Sequence, residues 1–309
     1  MKAEADPARV SQRVTRGVVA ATLTPLNDEG SARVDALAAH CRGLLALGCR
    51  SILLLGTTGE ANSFSIDERR SILEGTIAAG VSPAELIVGT GCCAIPDTVQ
   101  LTKHALSLGV ERVLVLPPFF YKNVSDAGLV DAYARTITAV DDDRLRLYVY
   151  RIPQVSGVDI PAAVIEQLLN RFGPQLAGIK DSSPEWTAIA PLCVRFARDL
   201  DFLVGSEQHL VAGMEAGASG CITALGNACA ALICELYEQR GTASAPDLAR
   251  RVKAAGTAFE GLPIIAALKA FMAHSSGDAW WRNVRPPLTR LSKMEEEALW
   301  SRLTPIVAA

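Results

Sequence analysis

No run of apolar residues approaches the ~18 that a membrane-spanning helix requires, and the opening stretch MKAEADPARVSQRVTRG has no apolar core that could act as a secretory signal. A cytoplasmic protein is expected. Basic residues do not predominate: 30 Lys plus Arg stand against 33 Asp plus Glu, a net charge of -3, so there is no broad cationic surface for a nucleic acid. Cysteine occurs only eight times in 309 residues and never as C-x-x-C, which excludes a disulfide scaffold and leaves buried thiols as the expectation. The four histidines are scattered without metal-ligand spacing, and no paired-carboxylate pattern stands out. What the chain does have is a 50% apolar composition with only 20% charge, enough to bury a large core.

Eight short apolar, β-branched runs recur: GVVAATLTP from Gly17, SILLLG from Ser51, ELIVGTG from Glu85, RVLVLPP from Arg112, LRLYVYRIP from Leu145, LAGIKDS from Leu176, DFLVGSE from Asp201 and GCITALGN from Gly220. Segments of helical periodicity lie between them, over 33–47, 66–79, 97–108, 126–140, 161–172 and 184–198. Runs that are apolar throughout predict strands covered on both faces, as in a parallel sheet wrapped by helices. The expected fold is therefore α/β, a (β/α)8 TIM barrel over residues 1–228, with no G-x-G-x-x-G after the first strand to favour an open dinucleotide-binding sheet. Residues 229–309 read as a helical appendix, 229–240, 245–272 broken near Gly261 and Pro263, and 293–303, packed on the barrel for want of a linker.

Active sites of such barrels lie at the C-terminal ends of the strands, which directs attention to polar residues there. Lys180 ends the apolar stretch Leu176–Ile179, and alternation puts Gly178 on its face, where the missing side chain leaves room for the lysine stem. The other lysines (2, 103, 122, 253, 269 and 293) fall in helical or loop-like, polar settings. Burial disfavours an ammonium and so favours an amine able to attack a carbonyl; the competing reading is a structural lysine paired with Asp181 or another strand's acid. Gly56-Thr57-Thr58-Gly59-Glu60, directly after the second strand, can turn N–H groups toward a small anion, or be only a strand-to-helix connection. Tyr150, on the face of Tyr148, can shuttle a proton or be an ordinary core tyrosine.

Taken in order, GTTGE at 56–60, YRIP at 150–153 and GIKDSS at 178–183 resemble the dihydrodipicolinate synthase / N-acetylneuraminate lyase family. TLTPL at 22–26, the PPFFYK loop after Leu116, the turn at Gly205–Glu207 and G-x-x-G-x-I-T-x-x-x-N from Gly217 to Asn227 extend the resemblance over most of the chain. The resemblance implies a Schiff base between Lys180 and pyruvate or another 2-oxo acid, with the carboxylate held by Thr57 and Thr58. It also implies proton transfer by Tyr150, a backbone carbonyl from Ile222 near the pyruvate, no metal or organic cofactor, and a homotetramer built as a dimer of dimers.

The departures bear on the second substrate. Synthases of this family usually carry Asn after the strand tyrosine and, a few residues on, an Arg that clamps the aspartate semialdehyde carboxylate; here those places hold Arg151 and Val155. The loop tyrosines of the proton relay are replaced by Phe119 and Phe120, with Tyr121 one position later. An apolar Val155 before Ser156-Gly157 is more similar to the sugar-acid branches, with Ser182, Ser183, Ser206, Glu207 and Thr223 as candidate partners of a polyhydroxy chain. Arg151 is either a displaced clamp or, by strand parity, a packing or interface arginine. The expected function is a pyruvate-dependent aldolase, a carbon–carbon lyase acting on a 2-keto-3-deoxy sugar acid or a related aldehyde acceptor. Dihydrodipicolinate synthase, a Schiff-base dehydratase or decarboxylase, and a catalytically silent 2-oxo acid sensor are the alternatives.

Overall fold

The computed structural model describes residues 15–307. The opening stretch judged to lack a signal falls mostly outside them, as does the start of the expected 1–228 domain. Eight parallel strands, β1 (Gly17–Ala21), β2 (Ser51–Leu54), β3 (Leu86–Gly89), β4 (Arg112–Val115), β5 (Arg146–Arg151), β6 (Leu176–Asp181), β7 (Asp201–Val204) and β8 (Gly220–Thr223), form a closed barrel in sequence order. Arg146 apart, every strand residue is buried, as uninterrupted apolar runs require when side chains point alternately into the barrel and onto helices.

A helix follows each strand: α1 (Val34–Ala46), α2 (Ile66–Ala78), α3 (Ile95–Ser107), α4 (Asp126–Val140), α5 (Ala162–Phe172), α6 (Trp186–Phe196), α7 (Leu210–Glu215) and α8 (Gly226–Gln239). The α7 helix, only six residues long, and the single turn Pro153–Ser156 escape detection by periodicity because neither completes the two turns a helical pattern needs. The expected division between residues 228 and 229 falls at a kink in α8, where Cys229 leaves helical geometry with φ −142° and ψ 44°. Beyond it lie α9 (Ala245–Thr257), α10 (Ile264–Ser276) and α11 (Lys293–Val307). The break between α9 and α10 comes where Gly261 takes a left-handed φ of +79° and Pro263 caps the next helix. No helix among the described residues is long and apolar enough to cross a membrane.

The chain clusters into two compact units, one carrying Ser82–Ile222 and the segment ending at Gly17, the other Val18–Val81 and Thr223–Ala309. In the first, α4 lies between α3 and α5. The strand starts there share a buried polar cluster: Asp201 accepts from Tyr148 Oη at 2.7 Å and from the Thr15 amide at 2.8 Å, and Arg112 donates to Thr15 Oγ1 at 3.0 Å. In the second, α8 packs against α1, α9 and α10, and α11 against α9 and α10. The thiols are not uniformly interior: Cys92, half-buried, and Cys93, exposed, sit in the loop after β3, and Cys229, half-buried, sits at a kink in α8.

Candidate active site

Register between β5 and β6 sets Tyr150 opposite Lys180 and Arg151 opposite Asp181. Alternation then gives two faces with different chemistry. On one, Lys180 and Tyr150 are each only 4% exposed, and the Lys180 Nζ lies over the Tyr150 ring, 4.3 Å from its centroid. Beneath them Tyr148 crosses Gly178, where an added Cβ would come within 2.4 Å of the ring. The glycine therefore makes room for Tyr148 and not, as expected, for the lysine stem. Burial, then the Asp201 charge, pushes the Tyr148 phenol well above its ordinary value, so this hydroxyl stays protonated while it donates to Asp201.

The opposite face consumes Asp181. Its Oδ2 accepts from Arg151 Nη1 at 2.9 Å and its Oδ1 from the Ser183 amide at 2.9 Å. The same guanidinium donates to Asp159 through Nε at 2.5 Å and Nη2 at 3.1 Å, and to Ser183 Oγ at 2.7 Å. This removes one reading: Asp181 is not a partner for Lys180, which has no carboxylate partner among the described residues. Of the two alternatives for Arg151, the packing arginine agrees with its contacts, which stitch β5, β6 and the following loops together. Ser183 is buried, and its hydroxyl accepts from Arg151 Nη1.

Of the other candidates in this unit, Ser182 follows β6, its amide donating to the Arg151 carbonyl at 2.8 Å. Gly205 is required beside it, since a Cβ there would fall 1.9 Å from Ser182 Oγ. Ser206 Oγ caps the short helix that begins at Glu207, accepting from the Gln208 amide at 3.3 Å, and Glu207 is buried. Ile222 is buried in β8. Val155 is 64% exposed on the Pro153–Ser156 turn. In the loop after β4, Phe119 is half-buried while Phe120 and Tyr121 are 72% and 74% exposed. Lys122 secures this loop by donating to the carbonyls of Phe119 and, at 2.6 Å, Ser156.

The second unit holds Thr57, half-buried, and Thr58, buried, in the turn after β2, with Thr223 at the end of β8. The turn is closed by Gly59 N on Gly56 O and Glu60 N on Thr57 O, both 3.1 Å. Thr24, from the TLTPL stretch, donates to the Gly59 carbonyl at 2.8 Å. Thr223 Oγ1 accepts from the Leu225 amide at 3.0 Å. Sequence reasoning missed one feature here. Lys269, placed in a polar setting, is completely buried in α10 and forms an ion pair with Glu60, equally buried. Its flanks, IIAAL and AFMA, were the available signal. Among the described residues two lysines, Lys180 and Lys269, are thus buried, and of these Lys269 is the one paired with a carboxylate. No cluster of three or more His, Cys, Asp or Glu able to hold a metal occurs among the described residues.

A sequence model of the Dihydrodipicolinate synthetase family matches residues 14–305. The chain belongs to this family. An "Uncharacterized DapA-like lyase" of Chloroflexus aurantiacus is 35% identical over 95% of the chain and 97% of its own length. An N-acetylneuraminate lyase of Danio rerio is 31% identical over 69% of the chain and 70% of its own. The crystal structure of dihydrodipicolinate synthase from Agrobacterium tumefaciens superposes with a TM-score of 0.85 at 30% identity, covering 94% of this chain and 99% of that one. The protein is accordingly a lyase of the dihydrodipicolinate synthase and N-acetylneuraminate lyase family, whose members differ in the molecules they act on.

Proposed function

We propose that the protein is a class I aldolase that forms a Schiff base between Lys180 and pyruvate, and that it makes or cleaves a 2-keto-3-deoxy sugar acid. The observation that carries this reading is the setting of Lys180: a buried amine against Tyr150, at the C-terminal end of a barrel strand, with the adjacent Asp181 turned to the other face and occupied by Arg151. In the reaction the Nζ lone pair attacks C2 of the 2-oxo acid and the carbonyl oxygen departs as water. The resulting iminium draws electrons from C3, so that the C3–C4 bond breaks in cleavage, or a C3 proton leaves and the enamine attacks an aldehyde in synthesis. Tyr150 takes or returns the hydroxyl proton of the aldol at its phenolic oxygen.

By their places in the family motifs, Thr57 and Thr58 hold the 2-oxo acid carboxylate, Ile222 offers its carbonyl near the bound pyruvate, and Ser182, Glu207 and Thr223 meet the rest of the substrate. The preference for a sugar acid over aspartate semialdehyde is supported by Val155, which supplies no charge, and by Arg151, whose donors are engaged. The same family reading makes the working form a homotetramer, in which the exposed Phe120 and Tyr121 would be covered by a second copy. Borohydride with pyruvate tests the nucleophile. A reduced pyruvyl adduct is expected on the peptide containing Lys180 and is expected to vanish in Lys180→Ala. An adduct on Lys269 or elsewhere, or one that survives that substitution, overturns the assignment.

A further inference from the structure

Glu60 adopts a left-handed backbone, φ +58°, that a residue with a Cβ rarely takes. Something must hold it there. Its side chain is held at both oxygens: Oε1 accepts from Lys269 Nζ and Oε2 from the Arg285 amide at 2.8 Å. Lys269 also donates to the Asn283 carbonyl at 2.6 Å, and Asn283 Nδ2 donates to the Leu26 carbonyl at 3.1 Å, so the pair is anchored to the stretch after β1 as well. From its backbone, Glu60 donates to the Thr57 carbonyl at 3.1 Å, which fixes the plane of the Thr57–Thr58 peptide. A buried ion pair adds little net stability over an apolar pair of similar volume, because desolvation offsets the attraction; what it does supply is geometry.

We propose that Lys269 and Glu60 are positioning residues that aim the Thr57–Thr58 turn at the carboxylate of the 2-oxo acid, so that helix α10 sets the affinity for pyruvate without touching it. This rests on the reading that the turn binds that carboxylate.

Borohydride trapping at graded pyruvate concentrations tests the proposal, because it separates half-saturation from the limiting rate. The double substitution Glu60→Gln/Lys269→Met leaves no unpaired buried charge, and Glu60→Asp keeps the charge pair while drawing the turn back by one methylene, so that at least one folded variant is available. For each, the half-saturating pyruvate concentration of the folded protein is expected to rise about 10-fold or more, with the limiting rate of adduct formation on Lys180 within about 3-fold of the unaltered protein. Arg282→Gln breaks the Arg282–Glu296 pair, which contacts neither Glu60 nor the turn, and is expected to leave half-saturation unchanged. Unchanged half-saturation in a folded Glu60 variant overturns the positioning role and leaves the Schiff base standing. Failure of the unaltered protein to trap pyruvate at all overturns the site assignment, and the positioning role with it.

Discussion

Lys180 and Lys269 are the same side chain, both withdrawn from water, and their neighbours differ. Lys269 faces Glu60 and the Asn283 carbonyl and is held as a strut between them; Lys180 faces the ring of Tyr150. The proposed proton transfer rests on that contact between the Tyr150 ring and Lys180; the Tyr148 hydroxyl donates to Asp201 at the other end of the same face. Tyr150→Phe removes one hydroxyl and keeps the ring against Lys180. Turnover is expected to fall by about 10²-fold or more, the usual worth of a general acid or base, while the borohydride-trapped adduct still forms. Steady-state rates beside the trapping assay check this, and unchanged turnover would assign the proton to another group.

At the scale of elements, the pattern G-x-x-G-x-I-T-x-x-x-N is built from separate structural demands. Gly217 takes φ +99°, and Gly220 lies so close to the preceding chain that a Cβ would fall 1.9 Å from the Gly17 carbonyl oxygen. Asn227, at the start of α8, donates to the carbonyls of Ala21 at 2.8 Å and Ala224 at 2.7 Å, and accepts from the Leu23 amide at 3.1 Å. It also meets His40 Nε2 of α1 at 2.8 Å, and His40 stands edge-on to Trp281, with ring centroids 5.2 Å apart. Burial holds the imidazole below its ordinary value of 6.5, against the opposing pull of the Asn227 hydrogen bond. The unfolded chain therefore binds a proton near pH 6.5 that the folded chain binds only at lower pH, and stability falls as pH drops below 6.5. His40 takes up at most one proton, so its slope cannot exceed about 1.4 kcal/mol per pH unit. Thermal midpoints measured between pH 7.5 and 5 should fall further for the unaltered protein than for His40→Gln; parallel curves would show that His40 does not carry this dependence.

Over the whole molecule, the barrel gives a general scaffold, and the proposed sugar-acid preference rests on side chains beyond the strand ends. An aspartate semialdehyde carboxylate in a partly dry pocket requires a charge-assisted partner, worth roughly 1.5 to 3 kcal/mol, or about 10- to 150-fold in affinity. Val155 offers none, and Arg151 makes its hydrogen bonds to Asp159, Asp181 and Ser183 instead. Cleavage of a 2-keto-3-deoxy sugar acid, or condensation of pyruvate with a short hydroxyaldehyde, should therefore exceed the semialdehyde reaction in kcat/KM. Assays of both on one preparation decide the matter, and an equal or better rate with aspartate semialdehyde would exclude the sugar-acid preference.

The alternation of apolar runs with periodic segments was sufficient to count the strands and to predict a barrel, because burial on both faces leaves its mark on every strand residue. Ordered motifs were sufficient for the family, and parity along a single strand, a local property, was sufficient to put Lys180 on a buried barrel face that the β5–β6 register shares with Tyr150. The partners of those residues were not legible. Whether Asp181 faces Lys180 or Arg151, whether Gly178 makes room for a lysine or for Tyr148, and whether Lys269 is solvated or bound to Glu60, 209 positions away, depend on which elements the closed barrel brings side by side. Those pairings join residues far apart in the chain, and no spacing along the sequence encodes them; only the tertiary structure decided them.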